Sequence, residues 1–120
     1  MKILVIDDYD GMRKLIRTML RQAGITDVEE AEDGVTALKM LNSKQYDLIL
    51  SDWNMQPITG LQLLRTVRET DGLKSMPFIM VTGTPDAAEE AEKSGADACI
   101  QKPLSAAMLK HAMRRAFQAQ

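Results

Sequence analysis

Five residues with reactive side chains each follow a short apolar run. Asp7 and Asp8 close Ile3-Leu4-Val5-Ile6, Asp52 closes Leu48-Ile49-Leu50-Ser51, Thr82 closes Phe78-Ile79-Met80-Val81, and Lys102 follows Ala98-Cys99-Ile100-Gln101. If these runs are neighbouring strands, three carboxylates, a hydroxyl and an ammonium meet at one sheet edge. Carboxylates that close cannot remain ionised without help. A pair ~4 Å apart at an effective dielectric of ~20 costs about 4 kcal/mol, and three such pairs would consume most of a domain's stability. A raised pKa on one acid, the Lys102 ammonium or a hard cation would relieve them. Oxygen donors without a histidine or cysteine beside them favour Mg²⁺, or Mn²⁺ as a similar ion, with positions left for water and a phosphate oxygen. A carboxylate next to such an ion is a competent nucleophile toward phosphorus and forms an acyl phosphate. Transfer then requires in-line positioning and neutralisation of the equatorial oxygens, tasks suited to the metal, Lys102 and Thr82. Asp52, delivered singly by the middle run, is the expected nucleophile, and the Asp7-Asp8 pair is suited to holding the metal.

Hydrophobic periodicity predicts the elements that must position these groups. Strands are expected at Lys2–Ile6, Val28–Ala31, Leu48–Ser51, Phe78–Val81 and Ala98–Gln101. The first helix places Met12, Leu15, Ile16, Met19, Leu20 and Ala23 on one face, with Asp10 as N-cap and Gly24 as its stop. A second follows Asp33-Gly34 with Ala37, Leu38 and Leu41 inward, and a third follows Thr59-Gly60 with Leu61, Leu64 and Val67 inward. Residues 85–94 offer only alanines to a core, yet Thr84-Pro85-Asp86 supplies a cap hydroxyl, a proline at the first helical position and an acid in the first turn. The last helix runs from about Ala106 and carries Met108, Ala112, Met113 and Ala116. Strand–helix alternation of this kind predicts an α/β fold, a five-stranded parallel sheet doubly wound with five helices. Ligands of such sheets bind beyond the carboxyl ends of the strands, where the acids lie.

Composition narrows the function classes. With 120 residues, 45% hydrophobic and 27% charged, the chain is expected to form one domain over 1–120. No apolar run approaches the ~20 residues of a membrane span, and no signal peptide is expected, because Lys2 leads straight into a short apolar run and two aspartates. The lone Cys99 excludes an internal disulfide and fits a cytoplasmic location. A net charge of -2 gives no electrostatic footprint for nucleic acid. Arg13, Lys14, Arg17 and Arg21 on the first helix, against Asp27, Glu29, Glu30, Glu32 and Asp33 around the second strand, are expected to form a solvated face laced with ion pairs. Trp53 reads equally as a contact residue or as an exposed aromatic beside the site. His111 reads as solvated, the nine methionines as adaptable filler, and Cys99 as buried and inert.

Ile6-Asp7-Asp8, Ser51-Asp52-Trp53-Asn54-Met55, Met80-Val81-Thr82 and Lys102-Pro103, together with Val28-Glu29-Glu30 and Ala31-Glu32-Asp33-Gly34, resemble the receiver domain of two-component response regulators. The likeness spans essentially the whole chain and is strongest to the stand-alone chemotaxis type. It implies a flavodoxin-like sheet of order 2-1-3-4-5. It further implies that Asp52 accepts a phosphoryl group from a phosphohistidine on a sensor histidine kinase or phosphotransfer protein. Asp7, Asp8, Asp52 and the backbone carbonyl of Asn54 would surround Mg²⁺, while Thr82 and Lys102 would bind the phosphoryl oxygens. Asn54 and Thr84 would flank the approach of water, and the Lys102-Pro103 bond would be cis. The phosphorylated monomer would act in trans on an output protein through the helix 4, strand 5, helix 5 face, the flagellar motor switch being one candidate. Cys99 stands where the family places an aromatic switch residue, and the segment 83–94 is short and acidic, so an altered or mobile fourth helix is expected. Gln56-Pro57 sets the proline one residue late, and Thr59 replaces the usual acid before Gly60. Input chemistry is therefore expected to be intact and output altered. Two alternatives stand beside this reading: a phosphate sink or shuttle without direct output, and a small aspartyl-phosphate phosphatase of the haloacid-dehalogenase type using Asp8 in Asp8-Tyr9-Asp10.

Overall fold

Five short strands, all but the Val28-Glu29-Glu30-Ala31 edge strand mainly apolar, alternate with five helices. The computed structural model describes residues 1–118, so Ala119 and Gln120, the end of the expected 1–120 domain, lie outside the described residues. The order is β1 (Ile3–Ile6), α1 (Asp10–Gln22), β2 (Val28–Ala31), α2 (Gly34–Ser43), β3 (Leu48–Asp52), α3 (Gly60–Glu69), β4 (Phe78–Thr82), α4 (Pro85–Lys93), β5 (Ala98–Gln101) and α5 (Ala106–Gln118). The strands pair in parallel in the order β2-β1-β3-β4-β5. The three inner strands are buried along their whole length, as sheets covered on both faces require. One core layer packs Ile3, Val5, Leu48, Leu50 and Ile79 against α1 and α5, and the other packs Leu4, Ile6, Ile49, Phe78 and Met80 against α2, α3 and α4.

β3 and β4 each run one residue beyond the apolar stretch, with Asp52 opposite Val81 and Thr82 opposite Gln101, so both reactive residues are ladder members. β1, by contrast, begins at Ile3 and not Lys2. Helix starts follow side-chain chemistry in four cases, one being α5, where the Ser105 hydroxyl accepts the Met108 N–H. Asp33 accepts the Thr36 N–H, Thr59 and Gln62 form a reciprocal capping box, and Thr84 accepts the Ala87 N–H with Pro85 behind it. α1 departs from expectation: Tyr9 is its N-cap without a side-chain bond, and Asp10 is the first helical residue, where its carboxylate pairs with Arg13 and Lys14. Gly24 adopts φ +86° just past the helix, as its stop. The α1 stripe is narrower than six residues. Ile16 and Leu20 are buried and Met12 and Met19 half-buried, while Leu15 on the stripe's margin is 43% exposed and Ala23, past the helix end, faces solvent. In α3, Leu63 joins Leu64 and Val67 inside while Leu61 is only half-buried, and Met108 of α5 is 37% exposed. Lys102–Pro103 is cis, and so is Gln56–Pro57.

The expected ionic face is present: Glu30 of β2 accepts from Arg13 Nε at 2.9 Å and Arg17 Nη1 at 2.6 Å. On the opposite edge Arg68 of α3 ties four groups together. Its guanidinium donates to the carbonyls of Gly95, Lys74 and Met76 and to Asp97, whose carboxylate also accepts the Phe78 N–H at 2.9 Å. Arg68→Ala will therefore strand Asp97 in a largely buried position. The expected loss is about 3 kcal/mol, read from the urea midpoint against wild type; a shift within error would show that solvent replaces all these bonds without cost.

Candidate functional site

The carboxyl ends of β1, β3, β4 and β5 converge because the strands are parallel and adjacent. One carboxylate oxygen from each of Asp7, Asp8 and Asp52 lies within 4.8 Å of the others. Asp7 and Asp52 are buried and Asp8 is exposed, so the cluster opens to solvent on the Asp8 side. Lys102 reaches in from the end of β5, with Nζ 2.8 Å from Asp52 Oδ1. The backbone fixes the acids: the Asp7 N–H donates to Ala31, the Asp7 carboxylate accepts the Tyr9 N–H at 2.9 Å, and the Asp7 carbonyl accepts from Arg13 Nη1 at 2.6 Å. Every buried side-chain polar atom among the described residues has a hydrogen-bond partner.

Thr82 is fully buried at the same edge, yet its hydroxyl donates to the Thr84 carbonyl at 3.1 Å. Asn54 sits two residues beyond Asp52 in the exposed loop before α3. The structure thus gathers Asp7, Asp8, Asp52 and Lys102 in direct proximity, with Thr82 buried at the end of the neighbouring strand β4 and Asn54 in the loop that follows Asp52. Asp10 is not part of the group, because it is committed to Arg13 and Lys14 on α1. Trp53 is neither a freely exposed aromatic nor turned outward: it is half-buried against the core, its N–H donates to Val81, and its carbonyl accepts the Gly60 N–H at 2.9 Å.

Gly60 is a site residue that sequence reasoning treated only as a helix start. A Cβ there would lie 2.1 Å from the Asp52 carbonyl oxygen and 2.9 Å from Met80 Sδ, so α3 can approach the end of β3 only without a side chain. Ser51, also buried, donates its hydroxyl to the Asp52 carbonyl at 3.1 Å. Cys99, expected to be buried, is half-buried; its thiol donates to the Ala88 carbonyl at 3.4 Å, and burial pushes its pKa up to about 11. It lines a cleft of about 310 Å³ with Met108, His111 and Arg115 of α5.

The electrostatics identify the strained member of the acid cluster. Burial pushes Asp7 up to about 6 from an ordinary 3.8; the Tyr9 N–H and Lys102 oppose this, while Asp52 and Asp8 add to it. A carboxyl with a raised folded pKa favours folding while it stays protonated. Its contribution is complete below pH 4 and is lost as pH rises through 6. In a chelator, Asp7→Asn is therefore expected to exceed wild type in stability at pH 7.5, by on the order of 3 kcal/mol, and the gap should close toward pH 4. Paired urea titrations across this range test it, and a pH-independent gap would remove ionised Asp7 as the source of strain. Oxygen-only donors, two buried and one open to water, fit a hard divalent cation.

The chain matches the response regulator receiver domain over residues 3–114. It is 42% identical to the chemotaxis protein CheY of Pseudomonas aeruginosa, covering 98% of this chain and 97% of that one. It is 38% identical to chemotaxis protein CheY-3 of Vibrio cholerae, covering 98% and 92%. Among solved structures it resembles CheY4 of Vibrio cholerae with a TM-score of 0.86 at 32% identity over 96% of this chain and 97% of that one. The receiver domain of NtrX from Brucella abortus gives a TM-score of 0.89 at 28% identity over 99% and 100%.

Proposed function

Since the chain belongs to the response regulator receiver family, we propose that Asp52 is its phosphoacceptor and that phosphorylation switches its binding to a partner in trans. The observation that carries this reading is a buried carboxylate paired at 2.8 Å with a lysine on the rim of a three-carboxylate cluster. The Asp52 oxygen attacks phosphorus as the phosphorus–nitrogen bond of a phosphohistidine breaks, and the electron pair leaves on the imidazole nitrogen. Lys102 balances charge on one phosphoryl oxygen, and the Thr82 hydroxyl donates to another once it leaves Thr84. Asp7, Asp8, Asp52 and the Asn54 carbonyl would hold Mg²⁺ or Mn²⁺, which supplies the remaining neutralisation. Asn54 and Thr84 border the approach of the water that later hydrolyses the acyl phosphate.

The phosphodonor is a sensor histidine kinase or a phosphotransfer protein. The chemotaxis names of the relatives favour a chemotactic output, with the flagellar motor switch as the candidate target. A cytoplasmic monomer suits this role, and among the described residues no helix is long and apolar enough to cross a membrane. A second reading, phosphate sink or shuttle, is favoured by Cys99 at the position of the family's aromatic residue. Incubation with acetyl phosphate and Mg²⁺ should add one phosphoryl group by intact mass, and a chelator should prevent it. Equal uptake in the chelator would overturn the metal assignment, and no uptake would overturn the phosphoacceptor reading.

A further inference from the structure

Arg13 brackets the exposed member of the acid cluster. Its guanidinium Nη1 donates to the Asp7 carbonyl at 2.6 Å, and its backbone N–H donates to the Tyr9 carbonyl at 3.3 Å. Asp8 lies between those two carbonyls. The Asp7 carbonyl shares one rigid peptide plane with the Asp8 N–H and Cα, so whatever fixes that carbonyl fixes the point from which the Asp8 side chain departs. The same guanidinium donates through Nε to Glu30 of β2 at 2.9 Å and through Nη2 to Asp10 at 3.0 Å. One side chain thus joins the end of β1, the edge strand β2 and the first turn of α1.

Arg13 differs from its neighbours on the ionic face. Its side chain is 12% exposed, against 38% for Arg17 and 73% for Lys14. Its partner on β2 is held in turn: Arg17 binds the second oxygen of Glu30 at 2.6 Å and the Val28 carbonyl at 2.9 Å. An exposed ion pair contributes little, whereas a bond from a largely buried, anchored guanidinium fork is strong and directional. The positive charge of Arg13 is already faced by the carboxylates of Glu30 and Asp10. What it supplies at Asp7 is therefore position. The Asp7 N–H is tied to Ala31 and the Asp7 carboxylate to the Tyr9 N–H, and Arg13 secures the remaining polar group of that residue.

Resting on the reading that Asp7 and Asp8 hold Mg²⁺, we propose that Arg13 is a positioning residue for the metal site: by fixing the Asp7 carbonyl it sets how the Asp7 and Asp8 carboxylates stand relative to Asp52, and so sets the affinity for the cation. Small displacements suffice, because Mg²⁺ demands near-ideal octahedral geometry. Groups that orient metal ligands from behind contribute roughly ten- to a hundredfold to affinity.

Metal affinity can be read separately from stability. Urea midpoints are measured at pH 7.5 and constant ionic strength over a series of MgCl₂ concentrations. The gain from binding depends on the Mg²⁺ concentration relative to Kd and not on how stable the metal-free protein is, so the series yields Kd for stable and unstable variants alike. Arg13→Met is expected to raise Kd about tenfold. Arg68→Ala, on the opposite edge of the sheet, is expected to lose stability and keep the wild-type Kd. Arg13→Lys retains the charge but presents one ammonium that cannot span three partners, so its Kd is expected to rise about as much as that of Arg13→Met. As the milder change, it also carries the comparison if Arg13→Met fails to fold. A wild-type Kd in either folded Arg13 variant, or an Arg68→Ala Kd raised as much as theirs, would overturn the positioning role. A wild-type midpoint that ignores Mg²⁺ at every concentration would overturn the metal reading itself, and no variant comparison can mimic that outcome.

Discussion

Asp52→Asn will take up no phosphoryl group from acetyl phosphate under conditions that phosphorylate the wild type, a loss of about three orders of magnitude or more in rate. The substitution preserves shape but replaces the nucleophilic carboxylate with an amide and removes one partner of the 2.8 Å pair with Lys102. It also takes one charge from a cluster in which three carboxylate oxygens lie within 4.8 Å, so the variant's folding stability in a chelator should not fall in step with its activity. That divergence is the discriminating result, because a merely structural Asp52 would lose both together. Retained uptake would transfer the acceptor role to the exposed Asp8 and restore the phosphatase alternative. Intact mass and peptide mapping of the acyl phosphate distinguish these outcomes.

Gly60→Ala carries an expected stability effect as large as that of Arg68→Ala. The added methyl would meet the Asp52 carbonyl oxygen at 2.1 Å, and that oxygen belongs to backbone at the end of a buried strand, not to a side chain able to rotate away. Relief requires α3 to lift, which breaks the Gly60 N–H bond to Trp53 and disturbs the packing of Leu63, Leu64 and Val67. A loss of about 3 kcal/mol is expected, with weaker phosphoryl uptake because the backbone beneath the acceptor is displaced. Gly83→Ala is the matched control: open space surrounds its Cβ position and its φ is ordinary, so its stability should change by less than ~0.5 kcal/mol. Urea midpoints of the two variants decide the matter, and equal values would show that the close approach at Gly60 is not required.

The architecture was legible because strand and helix periods differ and because helix starts carry their own cap chemistry, as at Asp33, Thr59 and Thr84. The acids and Lys102 were legible because parallel strands deliver their last residues to one edge. Legibility failed where a residue answers to tertiary neighbours. Asp10 has the right side chain for a cap, but the loop after β1 places Tyr9 there, with its N–H committed to Asp7, and Asp10 falls one residue inside the helix. Trp53 is drawn against the core because the chain turns back from β3 into α3 beside it, which no local pattern announces. Gly60 gave a turn signal, yet the backbone oxygen it must avoid is eight residues away in sequence. The direction of the Thr82 hydroxyl depends on a carbonyl whose position only the folded loop determines.

Helix α4 contributes one fully buried side chain to the molecule, and that side chain is an alanine. Most of its surface can therefore mutate at a stability cost of less than ~0.5 kcal/mol, whereas the strands that carry Asp52 and Thr82 are locked on both faces. On the proposed reading, α4 would be a face whose chemistry can be rewritten without moving the carboxylates or Lys102.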